Sequence, residues 1–269
     1  MSQVRQIEAN GLSQCVEIAG PADAPAVVLS HSLACSRAMW RPQIEALAKD
    51  HLVVAYDTRG HGGTAAPDGP YDLELLAADL LGLAEALTLP RFHFVGLSMG
   101  GMIGQQLALT APGKLISLTL CATTSRIPPE GRKAFDERIA AAESQGMAAL
   151  AEATLARWFT EPFRAAGRPE VEAIRQLILA TPVAGFVGCC RAIQPLDLTD
   201  RLPAVRTPTL VLAGQDDPGM PPAVMQTIKE QIPGAQLCVL AHAAHLLNVE
   251  QAETTSGLLR SFIGAHGRG

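Results

Sequence analysis

One stretch constrains this chain more than any other: Gly96-Leu97-Ser98-Met99-Gly100-Gly101, set between the apolar runs Phe92-His93-Phe94-Val95 and Met102-Ile103-Gly104-Gln105-Gln106-Leu107-Ala108-Leu109. The order reads as a strand, a tight turn and a helix, with a serine at the apex. A serine in such a turn sits in a strained conformation, crowded by neighbouring strands. The positions two before and two after it must therefore be small, and Gly96 and Gly100 meet that demand. The helix that follows Ser98 aims its positive N-terminal end at the place where a negative charge would develop.

The remaining chain supplies a frame for that turn. Residues 4–8 and 14–18, split by Asn10-Gly11, read as a hairpin. Short apolar strands are expected at 26–30, 52–56, 92–95 and 115–121. Helices are expected at 39–48, at 72–87 with Asp72 as its cap, and at 99–111. Strands alternating with helices predict an α/β fold, a mostly parallel sheet of eight strands with helices on both faces. From 125 to 200 the alternation stops and the pattern is helical: 134–156 is rich in alanine and glutamate, and Trp158-Phe159 and 171–180 follow. This segment reads as a helical cap (125–200) inserted into a core formed by 1–124 and 201–269. The core resumes with strands at 209–213 and 236–240 and helices at 223–231 and 250–263.

Bulk properties narrow the partners. The chain of 269 residues has 21 basic and 26 acidic side chains, a net charge of −5 without a basic cluster, so nucleic acid and anionic membranes are not expected partners. Residues 1–10 lack the apolar core of a signal peptide, and no apolar run approaches the ~18 residues of a membrane span. The expected setting is cytoplasmic. Six cysteines (15, 35, 121, 189, 190, 238) form no C-x-x-C pair, and they read as small apolar residues in a reducing compartment.

A serine hydroxyl is a poor nucleophile at neutral pH. It needs a histidine base, and the histidine needs a carboxylate to fix its tautomer and stabilise its charge. In a sheet of this kind those groups gather at the carboxyl ends of the strands, in the chain order Ser, acid, His. After strand 209–213 come Asp216 and Asp217. Asp217, three residues past Gly214, is preferred, and Asp216 reads as a solvated turn residue or a helix-cap acceptor. After the last strand come His242 and His245. His245 is preferred because it lies just before the final helix, and His242 reads as a loop neighbour. An oxyanion hole needs two backbone N–H groups: one from Met99, the residue after the nucleophile, and one from the loop His31-Ser32-Leu33-Ala34, where Leu33 is the expected donor. His31 is expected to brace that loop and is a candidate for contact with substrate.

Taken together these residues resemble the α/β-hydrolase family and, more narrowly, the 3-oxoadipate enol-lactonases of bacterial aromatic catabolism (the β-ketoadipate pathway). The resembling stretches are Leu29-Ser30-His31-Ser32-Leu33 with Met39-Trp40, Tyr56-Asp57-Thr58-Arg59-Gly60-His61-Gly62, the Ser98 turn, Arg157-Trp158-Phe159-Thr160, and the segments 214–222 and 245–250. At two positions where the family commonly has glycine this chain has Ala34 and Ala244. The resemblance implies opening of an enol-lactone through an acyl-enzyme, without metal or organic cofactor. That substrate carries a free carboxylate, so a cationic anchor is expected. Of the arginines in or near the cap (126, 138, 157 and 191), Arg126 follows a core strand and Arg157 precedes Trp158, and these two are the candidates. Trp158 is expected to pack the cap on the core and to line the pocket. Arg59 is expected to be braced by a carboxylate within a glycine-rich loop. A general small-ester carboxylesterase and a cofactor-free perhydrolase would share the triad. A hydrolase-fold receptor for a small molecule is the alternative outside enzymology.

Overall fold

Strand segments such as Ala26–Ser30 and Phe92–Leu97 are buried along their whole length, and only a strand covered by helices on both faces can bury every side chain. The computed structural model, which describes residues 2–267, realises this. Eight strands, β1 (Gln3–Ala9), β2 (Leu12–Ala19), β3 (Ala26–Ser30), β4 (Leu52–Tyr56), β5 (Phe92–Leu97), β6 (Leu115–Cys121), β7 (Thr209–Gly214) and β8 (Gln236–Leu240), form one sheet in the order β1-β2-β4-β3-β5-β6-β7-β8. β2 pairs antiparallel with β1 and with β4, and every other pairing is parallel. The eight expected strands are all present.

The chain direction across the sheet reverses at β3, whose neighbours are β4 on one side and β5 on the other. A crevice forms at such a switch point, beyond the carboxyl ends of the strands. Ser30, the last residue of β3, pairs with Gly96. The loop bearing Leu33 and the turn bearing Ser98 are therefore neighbours by topology alone.

The helices are α1 (Arg41–Leu47), α2 (Leu73–Ala86), α3 (Met99–Thr110), α4 (Pro129–Gln145), α5 (Ala148–Trp158), α6 (Glu161–Ala165), α7 (Pro169–Ala180), α8 (Val183–Ile193), α9 (Pro222–Gln231), α10 (Leu247–Glu250) and α11 (Ala252–His266). Asp72 caps α2, its carboxylate accepting Leu75 N–H at 2.6 Å. Five helices, α4 to α8, occupy the interval between β6 and β7, and no described strand interrupts them. The helical stretch expected at 134–156 is two helices, because Gly146 takes φ 75° and ends α4. No single described helix is long and apolar enough to cross a membrane. The six cysteines are unpaired, and all but Cys238 are buried.

Candidate active site

The turn after β5 has the strain its sequence implies. Ser98 holds φ 57° and ψ −114°, its N–H donates to Cys121 C=O at 2.9 Å, and its own carbonyl accepts Met102 N–H, starting α3. A Cβ on Gly96 would lie 2.2 Å from Gly100 O, and one on Gly100 would lie 2.2 Å from Ser30 O, so neither position admits a side chain. Thr123 Oγ1 donates to Ser98 C=O at 2.7 Å and ties the turn to the end of β6. The Ser98 side chain caps no helix N–H and so remains available for chemistry.

Asp217 and His245 lie on the loops that follow β7 and β8. Asp217 Oδ2 accepts His245 Nδ1–H at 2.7 Å, which leaves Nε2 as the basic nitrogen of the ring. Asp217 Oδ1 accepts N–H from Gly219 at 2.8 Å and from Met220 at 3.0 Å. Burial alone would raise the Asp217 carboxyl. His245 and these hydrogen bonds outweigh it and hold the group below its usual range, so it is ionised at neutral pH. Asp216 and His242 are both exposed. Ser98, Asp217 and His245 line one cavity of about 120 Å³. That is of the order of the cavity that accepts a benzene ring, roughly 150 Å³.

Two backbone N–H groups flank Ser98: Leu33, which lines the cavity, and Met99, the residue after the serine. Among the described residues neither Leu33 N–H nor Met99 N–H donates to another protein atom. Each stands where an oxyanion-hole donor must stand: Leu33 beyond β3, and Met99 at the first position of α3. Ala34, at one of the positions where glycine is common, carries φ 58°.

The inserted helices close the cavity. The Trp158 ring stacks on His245, centroids 6.0 Å apart and planes 22° apart. Trp158 C=O accepts Leu246 N–H at 3.0 Å. Glu250 bridges the same two segments: Oε1 accepts N–H and Oγ1–H of Thr160 at 2.8 Å each, and Oε2 accepts Ala244 N–H at 2.5 Å. Burial raises the Glu250 carboxyl above its ordinary value, against the pull of these donors.

The expected substrate contacts divide. Arg157 and Trp158 line the cavity. Arg126 does not: it is exposed, with Nε 2.6 Å from Asp197 and Nη2 2.9 Å from Asp200, so its charge is already neutralised at the surface. His31 does not line the cavity either. It is fully buried, with Nδ1–H donating to Ser32 C=O at 2.7 Å and Nε2 accepting Thr58 N–H at 2.9 Å, which leaves it only the bracing role. Arg138, set aside on sequence, takes the place of Arg126 and lines the cavity from α4. Its guanidinium lies 5.0 Å from the Phe135 ring centroid, and Arg157 Nη2 donates to Thr154 Oγ1 at 3.3 Å. Among the described residues neither arginine pairs with a carboxylate. Burial pulls both below their ordinary pKa, and the charge of Arg138 lowers Arg157 further. Arg59 forms a bidentate pair with Asp79 at 2.7 and 2.6 Å, away from the cavity.

A serine in a strained turn, a histidine–carboxylate pair lining the same cavity and two free N–H groups at the switch point of a mostly parallel sheet are the arrangement of a hydrolase. Residues 25–252 match the family of the alpha/beta hydrolase fold, and the chain belongs to it. It is 32% identical over 266 residues to 3-oxoadipate enol-lactonase 1 of Acinetobacter baylyi, covering 98% of each chain. It is 34% identical over 254 residues to a proposed carbamate hydrolase of Variovorax paradoxus, covering 92% of this chain and 94% of that protein. The crystal structure of the enol-lactonase from Burkholderia xenovorans superposes with a TM-score of 0.92 at 37% identity, covering 96% of this chain and 99% of that one.

Proposed function

We propose that this hydrolase opens a small carboxylate-bearing enol-lactone, 3-oxoadipate enol-lactone, to 3-oxoadipate through an acyl-enzyme. The observation that carries the reading is the pair Arg138 and Arg157. Two half-buried cations without a carboxylate partner among the described residues converge on an otherwise largely apolar cavity beside Ser98. Uncompensated charge of this kind is unfavourable in the empty protein and is relieved by an anionic ligand. The cavity volume suits one small ring with a short arm.

In this reading Ser98 Oγ attacks the lactone carbonyl while His245 Nε2 takes its proton. The oxyanion meets the N–H groups of Leu33 and Met99, and Asp217 stabilises the imidazolium. Collapse breaks the ring C–O bond, and His245 returns the proton to the enol oxygen, which tautomerises to a ketone. The leaving group stays attached to the acyl chain, so the same carboxylate can hold the arginines through both half-reactions. Water then attacks the ester, His245 again taking the proton, and Ser98 is released with the second carboxylate of the product.

The test is kcat/KM for 3-oxoadipate enol-lactone, generated in situ, beside p-nitrophenyl acetate and a small carbamate, for wild type and Ser98→Ala. A lactone value orders of magnitude above the others, lost in Ser98→Ala, is the expected result. Cleavage of the acetate or the carbamate with the lactone ignored would overturn the substrate assignment. Normal turnover in Ser98→Ala would overturn the mechanism.

A further inference from the structure

The loop that carries Leu33 is held from both sides by histidines that the chemistry above does not use as bases. The carbonyl of the Ser32–Leu33 peptide is anchored by His31 Nδ1–H at 2.7 Å. In a trans peptide the carbonyl and the N–H point in opposite directions, so anchoring the oxygen aims Leu33 N–H the other way. The following peptide is held at its nitrogen: Ala34 N–H donates to His61 Nε2 at 3.0 Å. His61 Nδ1 lies 3.2 Å from Arg59 C=O, an acceptor, which places the proton on Nδ1 and the lone pair on Nε2. Just beyond the second anchor Ala34 holds φ 58°, a left-handed conformation that an L-residue keeps only under outside restraint.

His61 is fully buried on the segment after β4. Cys189 of α8 closes over it, with Sγ 3.7 Å from Arg59 O and 4.0 Å from His61 Nδ1. Desolvation first, and the neighbouring His31 second, pull the His61 pKa down to about 3; hydrogen bonding to Arg59 C=O and the charge of Asp57 act the other way. The ring is therefore neutral at working pH and its acceptor is permanently available.

We propose that His61 is a positioning residue of the oxyanion hole, its Nε2 holding the left-handed turn at Ala34 that directs Leu33 N–H toward the substrate oxygen. The proposal rests on Leu33 as a hole donor. His61 lines no part of the cavity, so it acts through the loop. A bond to the oxyanion exists only in the transition state, so loosening it lowers kcat and leaves KM nearly untouched.

The test compares His61→Leu, His61→Asn and His61→Gln on p-nitrophenyl acetate and on the enol-lactone. Binding of a trifluoromethyl ketone, which forms a tetrahedral adduct with the serine, is measured alongside. Glutamine can place an oxygen near the ε position, whereas asparagine reaches only the δ position and leucine offers no acceptor. Leu and Asn should lower kcat by about 10- to 100-fold, less than the roughly 10²–10³ typical of deleting a donor outright. KM should stay within about threefold, ketone affinity should fall by the same factor as kcat/KM, and Gln should recover most of the loss. Three results would overturn the proposal: equal losses in Gln and Asn, unchanged kcat in all three variants, or a lower kcat with undiminished ketone affinity. If the Leu variant fails to fold, the Gln–Asn difference still decides. Ser98→Ala in the same assays keeps a failure of the nucleophile assignment distinct, and the neutral ester keeps a failure of the lactone assignment distinct.

Discussion

Replacing Arg138 or Arg157 with glutamine removes a charge while retaining a polar side chain of similar length. At an effective dielectric of about 20, a cation and a carboxylate about 5 Å apart attract by about 3 kcal/mol. Desolvation and ordering reduce a charge-assisted contact to about 1.5–3 kcal/mol net. At 1.4 kcal/mol per decade, each single variant should raise KM for the enol-lactone by roughly 10- to 100-fold. The carboxylate is held equally before and during reaction, so kcat should change little. The double variant should lose less than the sum, because both arginines would share one carboxylate. Steady-state kinetics on the lactone and on p-nitrophenyl acetate check this, the neutral ester keeping its KM within about threefold. A second readout separates binding from structure. In the empty protein these are partly desolvated like charges, Arg157 lowered by Arg138 itself. Neutralising either should leave Tm unchanged or raise it by about 2–4 °C, the shift that roughly 1 kcal/mol produces in a chain of about this size. Single variants that keep the wild-type KM for the lactone, or that raise KM for both substrates alike and lower Tm, would refute the anchor.

Asp217→Asn should preserve the fold and lower kcat by about 10⁴, since the amide no longer fixes the His245 tautomer or stabilises its charge; a loss below tenfold would contradict this. His31, His61 and His93 have folded pKa values lowered from 6.5 to about 4, about 3 and about 4, chiefly by burial. Each lies below its unfolded value, so the stability it confers is complete above about pH 6.5 and is lost as pH falls toward the folded values. Unfolding at pH 5.5 should take up about 2.5 protons from these three rings, read from the pH dependence of urea midpoints, and an uptake below one would be incompatible with their neutral burial. Trp158→Ala should enlarge the cavity, remove the face stacked on His245 and cost about 3–5 kcal/mol of stability. It should raise the ratio of p-nitrophenyl butyrate to acetate kcat/KM, and an unchanged ratio would remove Trp158 from the pocket wall.

The grouping of Ser98, Asp217 and His245 around one cavity was legible in the sequence because its signals are local. A serine between glycines two residues away, an acid three residues past a strand-ending glycine and a histidine before the last helix are each short-range signals, and chain order joins them. Which arginines line the cavity was not legible in the same way. Arg126 looked favourable beside a core strand, but its partners Asp197 and Asp200 lie 71 and 74 residues away in sequence, and no local pattern announces them. Arg138 did leave a signal. Phe135, Ile139 and Ala142 are the buried residues of α4, and Arg138 occupies the remaining i+3 place in that i, i+3, i+4, i+7 stripe. A charge on the inward stripe of a helix, without a carboxylate one turn away to meet it, is the local signal that this arginine faces the interior. The bracing role of His31 was expected from its place in the loop. The hydrogen bond from Ala34 to His61 was not, because it joins loops after two different strands.

The inserted helices and the catalytic loop are not independent parts, and the reason lies in how they touch. At one end residues 158–160 meet 244–250 through three hydrogen bonds and the Trp158–His245 stack. Parting them would take Thr160 from the half-buried Glu250 carboxylate and leave the N–H groups of Thr160 and Leu246 without partners, each unsatisfied group costing about 1–3 kcal/mol where it stays buried. At the other end α8 lies against the core so closely that a Cβ on Gly60 would sit 2.4 Å from Gly185 Cα. A cap held at both ends holds the imidazole against Trp158 on one side and Asp217 on the other. The arginines sit on α4 and at the end of α5, between those fixed points. In the proposed reaction, substrate charge would be read by the same helices that pack on His245, and a change in the cap that moves Trp158 should alter kcat as well as specificity.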